Sequence, residues 1–166
     1  MKSAPAISTI AGALAFLLIG VELGSDPIAL VRLTILGGAL GQIVRYDVRE
    51  HRIPNRIVLP ATAVCAMLSL LDGIRLSSLV GGGLLVALLF LGSLLRPAWL
   101  GMGDVKLALL ILCGLHGATL LAVMLAVELA VVVVLLFIIR RGQEAFRLAL
   151  PLAPFLAAGS LLALLI

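Results

Sequence analysis

The sequence predicts an all-α membrane protein, from its composition and from where its charges lie. Of the 166 residues, 63% are hydrophobic and 12% are charged, whereas a soluble domain is about half apolar and about a quarter charged. The apolar residues form long runs of Leu, Val, Ala and Ile, which favour membrane helices over the alternating strands of a barrel. The net charge of +4 comes from basic residues at segment ends, so it does not indicate nucleic-acid binding.

The chain divides into about seven apolar segments within one domain, 1–166. The segments run over 6–23, 28–44, 57–71, 77–95, 104–115, 118–139 and 148–166. A spanning helix needs about 20 residues, so the third segment is marginal and the fifth is short. We favour a retained first helix over a signal peptide, because no clean small-residue cleavage site follows it. Two glycine clusters, at 37–41 and 81–83, predict close helix packing.

The fifth and sixth segments need a break between them. A single helix over 104–139 would be about 54 Å long, which exceeds one crossing. Gly114 and Gly117 flank His116, and a hairpin at this point returns the chain to its starting side. His116 is then expected to be a solvated residue of the outer turn.

Basic residues predict the orientation. Ten of them fall on one side of a seven-crossing arrangement: Lys2, Arg45, Arg49, Arg52, Arg56, Arg96, Lys106, Arg140, Arg141 and Arg147. Arg32 and Arg75 remain for the other side. Cytoplasmic loops carry the excess of Lys and Arg, so we expect a multi-pass protein with a cytoplasmic N-terminus.

Two aspartates are the candidate catalytic residues. Asp47 is predicted to follow the cytoplasmic end of the second helix, and Asp104 to begin the fifth helix on the same side. Carboxylates near lipid tend to be functional, and two that approach closely share a proton, so one can act as base and the other as acid. The alternatives are that Asp104 is only a helix N-cap and that Asp47 is a solvated loop charge.

The residues around these aspartates resemble two motifs of the type IV prepilin peptidase family. Residues 101–106 read Gly-Met-Gly-Asp-Val-Lys, similar to the family's Gly-x-Gly-Asp-x-Lys signature. Asp47 is followed by Ile53, Pro54 and Asn55, similar to its first aspartate motif. Residues 151–156, Pro-Leu-Ala-Pro-Phe-Leu, are a weaker match to Pro-Phe-Gly-Pro-Phe-Leu in the last helix.

The resemblance implies an intramembrane aspartic endopeptidase of the plasma (inner) membrane that removes basic leaders from prepilins or pseudopilins at the cytoplasmic face. Asp47 and Asp104 would be the catalytic pair. Gly101 and Gly103 would allow a tight turn beside Asp104. The other supporting residues would be Pro54, Asn55 and Lys106. The family's long form has an insertion with two Cys-x-x-Cys pairs, which this chain lacks, so it looks like the short Flp (Tad) form, a peptidase without methyltransferase.

Other interpretations stay open at the level of sequence. Tyr46-Asp47 and Gly-x-Gly-Asp also occur in presenilin-like and signal-peptide-peptidase-like proteases, although their Pro-Ala-Leu motif is absent. A small proton-coupled transporter would also use membrane carboxylates, but nearer the midplane. Glu128, near the middle of the sixth segment, could contact substrate, but we expect it to be a buried acid that hydrogen-bonds another helix. Nothing in the sequence gives a reason to expect a metal or a cofactor.

Overall fold

Helices form all the regular structure that the computed structural model describes, which covers residues 4–73, 76–96, 101–141 and 151–166. In these ranges the α-helices are α1 Ala4–Glu22, α2 Pro27–Glu50, α3 Asn55–Leu71, α4 Leu76–Leu95, α5 Met102–Leu115, α6 Thr119–Arg141 and α7 Ala153–Leu165. Lys2, Arg75, Arg147 and the first three residues of the predicted seventh segment lie outside the described residues.

The second helix is longer than predicted. α2 continues through Asp47 to Glu50, and His51 ends it in the left-handed conformation, with φ 49°. The polar residues from Arg45 to Glu50 include no glycine or proline, so nothing in them stops the helix at Val44. Asp47 therefore lies within the last turn of a rigid helix, and the prediction that it follows the helix end is wrong.

A short turn separates α5 from α6. Residues His116–Ala118 form a 3-10 turn, and His116 has φ 50° and ψ −114°. The break predicted between Gly114 and Gly117 is thus confirmed. The solvated state predicted for His116 is wrong, because its Nε2 lies 2.6 Å from Ser69 Oγ of α3, and that hydroxyl donates to the Cys113 carbonyl at 2.7 Å.

Glycines let several helices approach at backbone distance. A Cβ added at Gly37 or Gly41 of α2 would overlap backbone atoms of Gly12 or Ser8 in α1. The prediction for the first glycine cluster is confirmed at these two positions. In the second cluster, Gly82 packs against Leu112 of α5 and Thr119 at the start of α6, whereas a Cβ at Gly83 would meet none of the described atoms within 4 Å.

The outer surface of the bundle is strongly apolar. Exposed large side chains occur on every helix, and Leu70, Leu71 and Ile139 are 75%, 67% and 80% exposed. Soluble monomers rarely expose large contiguous apolar patches, so this surface fits a hydrocarbon environment. By length and composition, two stretches could cross a membrane, Pro27–Glu50 and Met102–Arg140, and the other apolar helices are shorter. Seven crossings and a cytoplasmic N-terminus remain predictions.

Glu128 is exposed on α6. Val127 and Met124 beside it also face outward, at 52% and 57% exposure. Among the described residues, the expectation that Glu128 hydrogen-bonds another helix is therefore wrong.

Candidate active site

Four helix ends meet at a cavity of about 430 Å³. They are the last turn of α2, the start of α3, the first turn of α5 and the start of α7. The lining residues are Asp47, His51, Arg52, Ile53, Asn55, Gly101, Gly103, Asp104, Lys106, Pro151 and Leu152. Of the seven residues named from sequence, only Pro54 is not in this lining; it directly precedes α3, and its carbonyl accepts from Ile57 and Val58 N–H at 3.0 and 3.2 Å.

Asp47 is buried and hydrogen-bonded. Its side chain is among the buried polar groups, at 7% exposure, and its Oδ2 accepts a hydrogen bond of 2.8 Å from the Ala153 N–H. Ala153 is the first residue of α7, so the carboxylate faces the N-terminus of a helix, where free N–H groups favour negative charge. The alternative that Asp47 is one more solvated loop charge is therefore excluded.

Asp104 is half-buried in the first turn of α5. The N-cap of this helix is Gly101, and the Asp104 N–H donates to the Gly101 carbonyl at 3.0 Å. Asp104 is therefore not the helix cap, and its carboxylate lines the cavity that Asp47 also lines.

The two glycines of the signature provide space, not a special backbone conformation. The hydrogen bond from the Asp104 N–H to the Gly101 carbonyl closes the predicted turn. In the described residues the glycines with positive φ are Gly24 and Gly73, so this turn does not require a conformation reserved for glycine. A Cβ at Gly103 would lie 3.2 Å from Ile53 Cβ, and one at Gly101 would lie 3.4 Å from the Asp104 Oδ2. A side chain at position 103 would therefore press on Ile53, and one at position 101 would press on the Asp104 carboxylate.

The two motifs contact each other directly. Ile53 of the first motif packs on Gly103 of the second. Lys106 Nζ donates to Asn55 Oδ1 at 2.9 Å, in an exposed position. These contacts hold the start of α3 against the start of α5, and so they fix the position of Asp104 relative to the segment that follows Asp47.

Sequence reasoning missed the donor to Asp47. The resemblance of residues 151–156 to the family motif pointed to this segment, but Leu152 and Ala153 differ from the motif, and this difference obscured the role of the segment. The contact is made by a backbone N–H, which any residue except proline supplies, so the replacement of the family's glycine by Ala153 leaves it intact. His51 and Arg52 also line the cavity and were not singled out.

Comparison with known families decides between the interpretations left open by the sequence. The sequence model of the type IV leader peptidase family matches residues 34–139, which is more than half of the chain. The chain belongs to the type IV leader peptidase family. Comparisons with curated proteins and with solved structures found no match.

Membership of this family indicates a peptidase, and it confirms the resemblance drawn from the two motifs. Asp47 and Asp104 both fall within the matched range, whereas Ala153, which binds Asp47, lies beyond it. In the described part of this leader peptidase family member, no three His, Cys, Asp or Glu side chains converge as a metal site would require.

Proposed function

We propose that this protein is an intramembrane aspartic endopeptidase that removes the basic leader of type IV, Flp-like prepilins at the cytoplasmic membrane face. The observation that carries the proposal is that Asp47 and Asp104 line one open cavity at the same end of the helix bundle. Membership of a leader peptidase family supports it. The matching family model is that of leader peptidases, which disfavours a presenilin-like protease.

The surroundings of the two aspartates suggest different roles. The N–H of Ala153 donates to Asp47 and would stabilise its negative charge, so we assign Asp47 as the base. Asp104 would be the protonated partner. Asp47 takes a proton from water while the oxygen of that water attacks the scissile carbonyl, and Asp104 gives its proton to the carbonyl oxygen. Collapse of the tetrahedral intermediate then breaks the C–N bond. Asp47 gives its proton to the leaving nitrogen, and Asp104 takes the proton of one hydroxyl, which restores both aspartates.

The position of the cavity suits a substrate with an apolar segment in the membrane and a polar segment in water. A prepilin has a basic leader followed by an apolar helix, and its cleavage site lies where that helix leaves the membrane. In the orientation predicted from the basic residues, the ends of α2, α5 and α7 lie at this boundary. α5 has 14 residues, or about 21 Å, so the membrane beside it would be thin enough to admit water.

The test is cleavage of a co-expressed Flp-type prepilin by the wild type, Asp47→Asn and Asp104→Asn. Asparagine keeps an oxygen that can accept from the Ala153 N–H, so the fold should persist, but it does not act as acid or base. We expect each variant to lose about a hundredfold or more of the cleavage rate. Asp26→Asn, at an exposed aspartate preceding α2, is the matched control and should cleave normally.

Two outcomes would contradict the proposal. Normal cleavage by both variants, at equal amounts in the membrane, would remove the aspartates from the mechanism. An intact prepilin with the wild-type protein would show that the substrate class is wrong.

A further inference from the structure

A second polar pocket lies on the opposite side of α2 from the candidate active site. It has a volume of about 190 Å³ and is lined by Ser8 of α1 and by Gln42, Arg45, Tyr46, Arg49 and Glu50 of α2. Helical residues advance by about 100° each, so Arg45 and Arg49, two positions before and after Asp47, point away from it. This pocket shares no lining residue with the cavity of Asp47 and Asp104.

The charges of this pocket fit an anion. Arg45 Nη1 is buried and has no hydrogen-bond partner in the described residues. A buried, unsatisfied guanidinium N–H is costly, and a phosphate oxygen is the acceptor that its geometry suits well. Among the described lining residues, the exposed Glu50 is the one acidic residue, against the two arginines Arg45 and Arg49.

An apolar groove continues from this pocket along α2. The groove has a volume of about 490 Å³, and its lining includes Ala13, Gly38, Ala39, Pro60 and Ala61. Gln42 lines both the pocket and the groove, so the two are adjacent along α2. From Gln42 to Thr34, the far end of its α2 lining, the groove is about 12 Å long, and Arg56 lies at the same end as Gln42.

We propose that this pocket and groove bind one anionic phospholipid, with its phosphate against Arg45 and Arg49 and an acyl chain in the groove between α1 and α3. Basic pockets between membrane helices are typical sites for anionic headgroups. A free phosphate would satisfy the arginines equally well, but it would leave the apolar groove without an occupant. The proposal requires helices that lie in a bilayer and is independent of the proposed peptidase activity.

The test is lipid binding to the full chain in detergent, measured by native mass spectrometry. The probes are phosphatidylglycerol, phosphatidylcholine with the same acyl chains, and inorganic phosphate. We expect the wild type to prefer phosphatidylglycerol, and Arg45→Gln and Arg49→Gln each to weaken its binding about fivefold. Arg140→Gln, at an exposed arginine of α6, is the control and should bind as the wild type does. Ala13→Leu, which fills the groove, should also weaken lipid binding.

Three outcomes would overturn the proposal. The first is equal affinity of the wild type for phosphatidylglycerol and phosphatidylcholine. The second is that Arg45→Gln and Arg49→Gln bind phosphatidylglycerol as tightly as Arg140→Gln does. The third is that inorganic phosphate binds as tightly as phosphatidylglycerol and that Ala13→Leu does not weaken lipid binding. The last outcome would make the pocket a site for a soluble anion. If Arg45→Gln does not fold, Arg49→Gln, at an exposed position, still allows the comparison with Arg140→Gln.

Discussion

Lys106 and Asn55 show how single residues connect the two sequence motifs. The ammonium group donates to the amide oxygen across the gap between α5 and α3. An exposed polar contact of this kind contributes at most about 1 kcal/mol to stability, so its main effect is on position. Small displacements of an active-site group reduce rates far more than they reduce stability.

The Lys106–Asn55 contact predicts a difference between two substitutions at one position. Asn55→Asp keeps an oxygen acceptor for the lysine and should retain most of the cleavage activity. Asn55→Leu removes the acceptor and should reduce the cleavage rate about tenfold, with little change in thermal stability. Prepilin cleavage and melting of the purified variants check this. Equal activity in the two variants would show that the contact has no positioning role.

At the scale of elements, the position of α7 depends on its contact with α6. A Cβ at Gly159 would overlap the Ala122 carbonyl oxygen and lie 2.7 Å from Ala126 N. These are backbone atoms, so the helices would have to separate. Because α7 begins with the N–H that binds Asp47, such a displacement would reach the candidate active site.

We therefore expect Gly159→Ala to lower the free energy of unfolding by about 1–3 kcal/mol and to reduce prepilin cleavage. Gly83→Ala is the matched control, because a Cβ there meets nothing within 4 Å and alanine favours the helix by about 0.5–1 kcal/mol. Melting temperatures of both variants in the same detergent measure this difference in stability. A Gly159→Ala variant as stable as Gly83→Ala would mean that α6 and α7 separate without penalty.

A second contact between elements lies at the other end of the bundle. Arg32 Nη1 of α2 and Asp72 Oδ2, which follows α3, form an ion pair of 2.8 Å. Arg32 is buried, at 7% exposure, so the pair joins the first turns of α2 to the end of α3 away from the active-site cavity. Sequence reasoning assigned Arg32 to the outer side of the membrane but did not identify its partner.

At the scale of the whole molecule, the orientation in the membrane decides which compartment reaches the cavity. Asp26 lies between α1 and α2, and Glu50 lies at the opposite end of α2. The distribution of basic residues predicts that Glu50 lies in the cytoplasm and Asp26 outside.

Cysteine labelling tests this orientation. In a background with Cys65 and Cys113 replaced by alanine, a membrane-impermeant maleimide should label Asp26→Cys in intact cells. Glu50→Cys should react only after the membrane is permeabilised. Both positions are exposed, so each serves as the control for the other. The reverse pattern would place the candidate active site outside the cytoplasm.

The sequence by itself determined the helical class and the break at His116, and it named the two candidate catalytic aspartates, because these depend on local composition and on short motifs. Long apolar runs favour helices wherever they lie in the chain, and a Gly-x-Gly-Asp signature is read without knowledge of its neighbours.

Only the tertiary structure decided which groups meet. The Ala153 N–H reaches Asp47 across 106 positions of sequence, and a side chain at position 103 would crowd Ile53. The tertiary structure also left Glu128 exposed and gave Arg45 a buried nitrogen with no partner among the described residues. Each of these depends on which helices pack side by side, and hydrophobic periodicity does not encode the pairing of similar apolar surfaces.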